Sequence, residues 1–298
     1  MRRPARVLSV ATYSNRTKLV QPGDIPPMVN RILQSGQRVF VGANEWNGNS
    51  VSFVGASSPS QEGFVTFNGA NTLSGMTVDG AAGAPGYGGV GIGPRVALTV
   101  GGITLDNGNL SVSERPYGAL DVTGTSQIAN NSTLTMTAYG GVGTFALNGV
   151  MSIDGSSTVN SDYVPVSGNG TFQLTGNNAL LRLGHVDAGD TVKLDGGTLS
   201  LTDGMHFLGT ITDSVPTASA IAPTASVHVY NAADAVREVF NTTTGMLDLF
   251  NAQGGEVANL HFAGGGPLFA EKTTDQPTNY VAITTHQSAD SLPVTFTQ

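Results

Sequence analysis

The chain has no cysteine, a single tryptophan and few charges. The missing cysteine excludes a disulfide scaffold and thiolate metal sites. No stretch approaches the roughly 18 consecutive apolar residues of a membrane-spanning helix. Charged residues make up 11% of the 298, against about 25% in an average protein, so Ser, Thr, Asn and Gln must supply the polar surface. The N-terminal "MRRPARVLSVATYSNRTKL" opens with arginines as a signal peptide does. Ser9, Thr12, Tyr13, Ser14 and Asn15 then interrupt any apolar core, so export is expected by a route without a classical signal peptide. Glycine, by contrast, is abundant. The 40 glycines follow neither the collagen triplet nor the charged composition of a disordered tail, and are expected in turns.

Charge divides the chain. Residues 1–38 hold seven Lys or Arg against Asp24 alone, and the remaining residues hold six against 20 acids. A basic arm, residues 1–24, therefore precedes an acidic body; it reads either as a solvated or nucleic-acid-binding arm or as one that docks on an acidic neighbour. In "GDIPPMVNRILQSG", Asp24 suits a helix cap and Pro26 and Pro27 its first turn. Met28, Ile32 and Leu33 recur on one face and Gly36 suits the stop, which predicts a cap helix within 25–38. Such a helix would cover the first rung of a coil that otherwise ends in an exposed edge.

From Val39 the pattern has period two. Bursts such as "VSFVG", "ALTVGG", "TFALNG", "TVKLDG" and "TLSLTDG" alternate apolar and polar residues and stop at Gly, Asn-Gly or Asp-Gly, the signature of short strands and tight turns. Hairpins would make a sandwich or barrel. Two features favour a parallel coil: the bursts are uniformly short, and "GTFALNG" (143–149) recurs as "GTFQLTG" (170–176) with "GFVTFNG" (63–69) as a looser relative. The expectation is an all-β fold, a right-handed parallel β-helix (β-solenoid) over 39–212. Its core would be lined by Phe145, Leu147, Phe172, Leu174, Val192, Leu194, Leu199 and Leu201. "DSVPTASAIAPTAS" (213–226) reads as a linker, and 227–298 as final rungs or a β cap whose terminal "LPVTFTQ" is free to pair elsewhere.

The phrases "GTFALNG", "GDTVKLDGGTLSL" and "GTSQIANNSTLTM" resemble the Gly/Asn/Thr-rich β-helix repeats of bacterial secreted surface proteins, the autotransporter passenger domains and type I-secreted adhesins. The resemblance covers roughly residues 90–265 and implies a β-helix with an extracellular or cell-surface life. Neither a C-terminal barrel nor tandem Gly-Gly-x-Gly-x-Asp calcium repeats accompany it.

Candidate sites are few. His185, His206 and His228 recur at 21 and 22 residues, a spacing at which rungs would stack them and at which imidazoles bind metal; unliganded surface or ladder histidines are the simpler reading. Asp187, Asp190, Asp195 and Asp203 lie within one or two rungs and are the acids a glycan-cleaving β-helix would use. Each sits at a turn, where Asp also has a backbone role. "GAPGYGGVGIG" (83–93) lacks the Lys-Ser/Thr of a phosphate loop and reads as an excursion from the coil, while Trp46 reads as a cover for the first rung.

No catalytic set, metal or cofactor is assigned from these residues. Two functions stand: a structural or adhesive extracellular solenoid that self-assembles, and a glycan-binding or glycan-cleaving β-helix such as a phage tail spike. Assembly would be head-to-tail between identical chains. The arm residues Arg2, Arg3, Arg6, Val7, Leu8 and Val10 would add a strand to a neighbour's edge, with polysaccharide or a cell surface, not nucleic acid, as further partner.

Overall fold

Each strand-like burst is only four or five residues long, too short to hold together alone, and places every second side chain on one face. The computed structural model satisfies both constraints by coiling. Parallel strands stack into a β-solenoid of about eight turns, described over residues 29–81, 84–213, 225–263, 268–273, 279–284 and 291–297. Between Ser50 and Phe207 the chain visits three sheets in rotation. Thr125–Ala129 lies in the first, Thr133–Ala138 in the second and Thr144–Leu147 in the third, and Val150–Ile153 returns to the first one rung on. The first and second sheets have 13 and 11 strands. The third has five, from Asn71–Leu73 to Val166–Gly168, and continues as the single bridges Val166 to Val186 and Val186 to Phe207.

The core is a set of columns running along the coil. In the first sheet Leu33, Phe53, Val78, Leu105, Ile128, Ile153, Leu174 and Leu194 follow one another in register, all buried. Each residue covers the apolar surface of the next, so burial and backbone pairing are made by the same stacking step. The eight expected core residues are all inside. Thr191–Leu194 belongs to the first sheet and Gly197–Leu201 to the second, each with parallel partners, so no hairpin joins them. One polar residue in a column is bonded there: Ser126, between Ile103 and Met151, accepts the Ile103 N–H at 3.0 Å.

Four sequence expectations are corrected. The cap helix does not form within the described part of 25–38. Asn30–Gln34 and Arg38–Val41 are the first strands of the first and second sheets, paired in parallel with Ser50–Val54 and Gly63–Phe67. A helix of about ten residues gains little from propensity alone, whereas the strand buries Leu33 on Phe53 and makes a full ladder. Among the described residues helical structure is limited to the 3-10 turns Pro59–Gln61 and Tyr230–Ala232. Secondly, the repeated phrases are not equivalent rungs. "GFVTF" is in the second sheet, "TFAL" in the third and "TFQL" in the first. Rungs vary in length: Leu180 pairs with Thr198, 18 residues on, and Gly197 with Ala225, 28 on.

The third correction concerns the glycine stretch, which is a strand of the second sheet, Gly86–Ile92, and not an excursion. Its glycines make room for aromatic rings. A Cβ on Gly88 would lie 2.5 Å from Phe53 Cγ in the core, and one on Gly89 would strike the ring of Phe64 outside. Lastly, the terminal strand Val294–Thr297 pairs within the chain, in parallel with Glu238–Asn241. It completes an antiparallel meander of Ala235–Asn241, Met246–Asn251 and Glu256–Ala263, which joins the first sheet where Thr210 pairs with His261. Phe269–Thr273 and Tyr280–Thr284 extend the second sheet, also antiparallel. The arm residues Arg2, Arg3, Arg6, Val7, Leu8 and Val10, and residues 214–224 of the expected linker, lie outside the described residues.

Trp46 does cover the first rungs. It packs edge-on against Phe67 at 5.9 Å, with the Arg31 guanidinium 5.7 Å above its ring.

Two substitutions test this packing by urea denaturation. Leu194→Ala should cost about 2–5 kcal/mol, the range for a leucine whose space cannot collapse. Gly88→Ala should destabilise strongly, and Phe53→Leu in the same chain should recover part of the loss. Additive effects of the two changes would contradict the contact.

Candidate functional site

The four candidate acids lie at corners between sheets. Asp187 and Asp190 lie on the turn from the third sheet to the first, Asp195 on the turn from the first to the second, and Asp203 on the turn from the second to the third. The four acids thus occupy three corners. Asp195 is held by Gln173 Nε2 at 2.9 Å and Lys193 Nζ at 3.0 Å. One carboxylate oxygen of the buried Asp190 accepts the Gly170 N–H at 3.2 Å, and the other has no partner. Burial, with a smaller push from Asp187, raises the Asp190 pKa to about 6 despite that hydrogen bond.

The histidine row is partly assembled. His185 and His206 are in register on successive rungs of the third face, beside the Val186 to Phe207 bridge, and their rings stack at 5.5 Å. Each has an aspartate: His206 Nδ1 lies 2.6 Å from Asp203, and His185 Nε2 lies 3.4 Å from Asp187. His228 is not with them. It sits in the second sheet, stacked on Tyr280 at 4.2 Å, and burial lowers its pKa. Three groups from the set {His, Cys, Asp, Glu} suited to hold a metal ion do not come together anywhere among the described residues. The Asp203, His206, His185 and Asp187 cluster is an open polar patch that can exchange hydrogen bonds with a ligand lying across two rungs.

Two buried carboxyls escaped the sequence reading. Glu114, the last residue of the second-sheet strand Gly108–Glu114, is wholly buried and would be struck by a Cβ on Gly143 above it. The amides of Thr144 and Leu120 lie near enough to lower its pKa somewhat, but the Thr144 N–H is already given to Gly118 O and neither carboxyl oxygen has a partner of ordinary geometry. Burial dominates and raises the pKa to about 8. Glu238, in the C-terminal meander, accepts the Ala270 N–H at 2.5 Å and thereby ties the first-sheet meander to the second-sheet strand Phe269–Thr273. Burial raises its pKa to about 7. The available signal was positional: Glu114 continues the inward phase set by Leu110 and Val112, and Glu238 is followed two residues on by the inward Phe240.

A shallow furrow along the first sheet is lined by Ser50, Thr77, Thr104, Thr125 and glycines, and offers hydroxyls without a titratable group. The chain matches no protein-family model and no curated protein sequence.

The raised carboxyl pKa values set a pH dependence. Between the ordinary Glu value of 4.5 and about 8 the folded chain holds the Glu114 proton more tightly than the unfolded chain does. Stability therefore falls as pH rises through that window and levels off above it, by about 1.4 kcal/mol per unit of pKa difference. Asp190 acts in the same direction from 3.8 to about 6, and Glu238 from 4.5 to about 7. The urea midpoint is expected to be higher at pH 5 than at pH 8.5. Glu114→Gln should raise the midpoint at pH 8.5 and leave it nearly unchanged at pH 5; an equal effect at both would show that Glu114 does not titrate in this window.

Proposed function

We propose that the chain is a structural and adhesive β-solenoid of the cell surface or extracellular space, of the kind its Gly/Asn/Thr-rich repeats resemble, and that copies of it join head to tail. The observation that carries this reading is the contrast between the two ends of the stack. At the C-terminal end the parallel ladder gives way to an antiparallel meander and a returning strand, which change the strand direction a further rung would meet. At the N-terminal end Asn30–Gln34 and Arg38–Val41 are regular parallel strands with no strand beyond them among the described residues. An edge of that kind is a template for another strand.

The arm preceding this edge carries the strand-like stretch "RVLSVATYS" (6–14) and a charge opposite to the acidic body. In this reading Arg2, Arg3 and Arg6 attract the arm to the next subunit, and Val7, Leu8 and Val10 dock it as an added strand. A contact between unlike surfaces propagates into rings or filaments. The length and regularity of the coil accord with a scaffold role.

Electron microscopy and sedimentation of the intact chain and of a chain lacking residues 1–20 test the proposal. The intact chain should form multimers whose assembly slows with salt, and the shortened chain should be a folded monomer. If both assemble equally, the arm is not the connector.

A further inference from the structure

The turn from the second sheet to the third exposes large side chains on rung after rung. Tyr117 is 65% exposed, Tyr139 62%, Val142 57% and Tyr163 82%. They form a row because the third-sheet register carries back into the turn. Ala119 pairs with Thr144 and Phe145 with Val166, which aligns Tyr117 with Val142 and Val142 with Tyr163; the Tyr117 N–H donates to Val142 O at 3.1 Å. Tyr139 stands beside them, its N–H on Glu114 O. Arg95 opens the row one rung earlier, its guanidinium 5.9 Å from the Tyr117 ring. Neighbouring rungs of a β-stack are about 4.8 Å apart, so the row is a continuous strip parallel to the coil axis.

Three features mark the strip as more than scattered surface. Arg95 and Tyr117 have φ of +58° and +61°. That left-handed conformation is strained for a bulky side chain and open to glycine, and the tight turns at 107, 130 and 131 use asparagine for it. Strain held by large exposed side chains in one row is a pointer to a binding surface. In addition, three of the six basic residues beyond residue 38 gather at this corner: Arg95 and Arg115, both exposed, and Arg182. The acids set into the same corner leave the first two uncompensated. Glu114 is buried beneath Gly143, Asp162 is taken by Arg182 at 3.4 Å, and Asp203, farther along, is bound to His206. The result is an aromatic strip flanked by free guanidinium groups on an otherwise acidic molecule.

We infer that this strip, Tyr117, Tyr139, Val142 and Tyr163 with Arg95 and Arg115, is a docking surface for an acidic polysaccharide whose sugar units bear carboxylates. Tyrosine faces receive the apolar C–H face of a pyranose while their hydroxyls reach solvent and sugar oxygens. Guanidinium forks recognise carboxylates in two-point contacts. The strip is open at its ends, so it accepts an internal stretch of a long polymer and requires no chain terminus. The inference rests on the adhesive reading and supplies the chemistry of its partner.

Native electrophoresis of the full chain through gels containing polygalacturonate or neutral dextran tests it, with micrographs of the same samples recording assembly. The intact chain should be retarded by polygalacturonate and not by dextran. Tyr117→Ala combined with Tyr163→Ala, and separately Arg95→Ala combined with Arg115→Ala, should each weaken retardation at least tenfold with unchanged thermal unfolding. Both variants keep the basic arm, so unchanged retardation would assign binding to the arm and overturn the proposal. Equal retardation by dextran, or by duplex DNA, would overturn the acidic-sugar specificity. A change of multimer size in the variants without loss of retardation would make the strip a subunit contact instead. Retardation without multimers would leave the strip standing and remove the head-to-tail reading; multimers without retardation would do the reverse.

Discussion

Everything in this molecule depends on the parallel pairing of one rung with the next. A strand of four or five residues supplies too few hydrogen bonds and too little buried surface to persist alone. Stacked, its main-chain groups find partners on both sides and its inward side chains are covered above and below. The column from Leu33 to Leu194 is this constraint made visible: each member is buried by its neighbours in register, and a register slip of one residue would turn the column outward. Constraint along the coil leaves freedom across it. The spacing between paired positions varies from 18 to 28 residues while the ladder keeps its register.

The corners therefore carry the chemical variety. Asn107, Asn130 and Asn131 turn the chain with left-handed backbone on the corner between the first and second sheets. On the corner between the third and first, Asp190 sits where earlier rungs have Gly149 and Gly170, and its carboxylate accepts an N–H from the rung before. On the corner between the second and third, tyrosines and arginines face water above the sealed Glu114. The buried carboxyls tie the fold to pH in one direction. Glu114, Asp190 and Glu238 are each easier to bury protonated, so the coil and its C-terminal meander are tightest in mild acid.

Period-two alternation made the class of fold and its core legible, because inward and outward positions leave the same mark in sequence and in structure; Phe145, Leu147, Phe172 and Leu174 are examples. Sheet membership was not legible. "TFAL" and "TFQL" look alike, since any face of the coil asks for the same alternation, yet they lie on different sheets and meet only in the core, where Phe145 and Phe172 touch edge to face at 6.2 Å. The stretch around Leu33 read as a helix because Met28, Ile32 and Leu33 recur at helical spacing, and its pairing with Ser50–Val54, which makes it a strand, is not visible locally. Gly86–Ile92 misled for a related reason: its glycines are explained by Phe53 and Phe64, which lie one rung away and more than 20 residues back in the chain. Of the candidate site, the spacing of 21 residues did bring His185 and His206 together, while the 22 to His228 crossed into another sheet.

On the proposed reading a solenoid of this kind would bind along its length, and that changes what a site is. An enclosed pocket needs loops that converge, but here corner turns point away from one another around the axis and converge only with their copies on adjacent rungs. Recognition must then come from weak elements repeated in register, each contributing little and together matching a partner that is itself repetitive. The tyrosine row and the His185 and His206 stack obey the same rule on neighbouring parts of the surface, since both are single side chains multiplied by the coil. The ladder that buries the core also spaces the ligand-facing groups, and a change in rung register would cost the molecule its stability and its binding surface together.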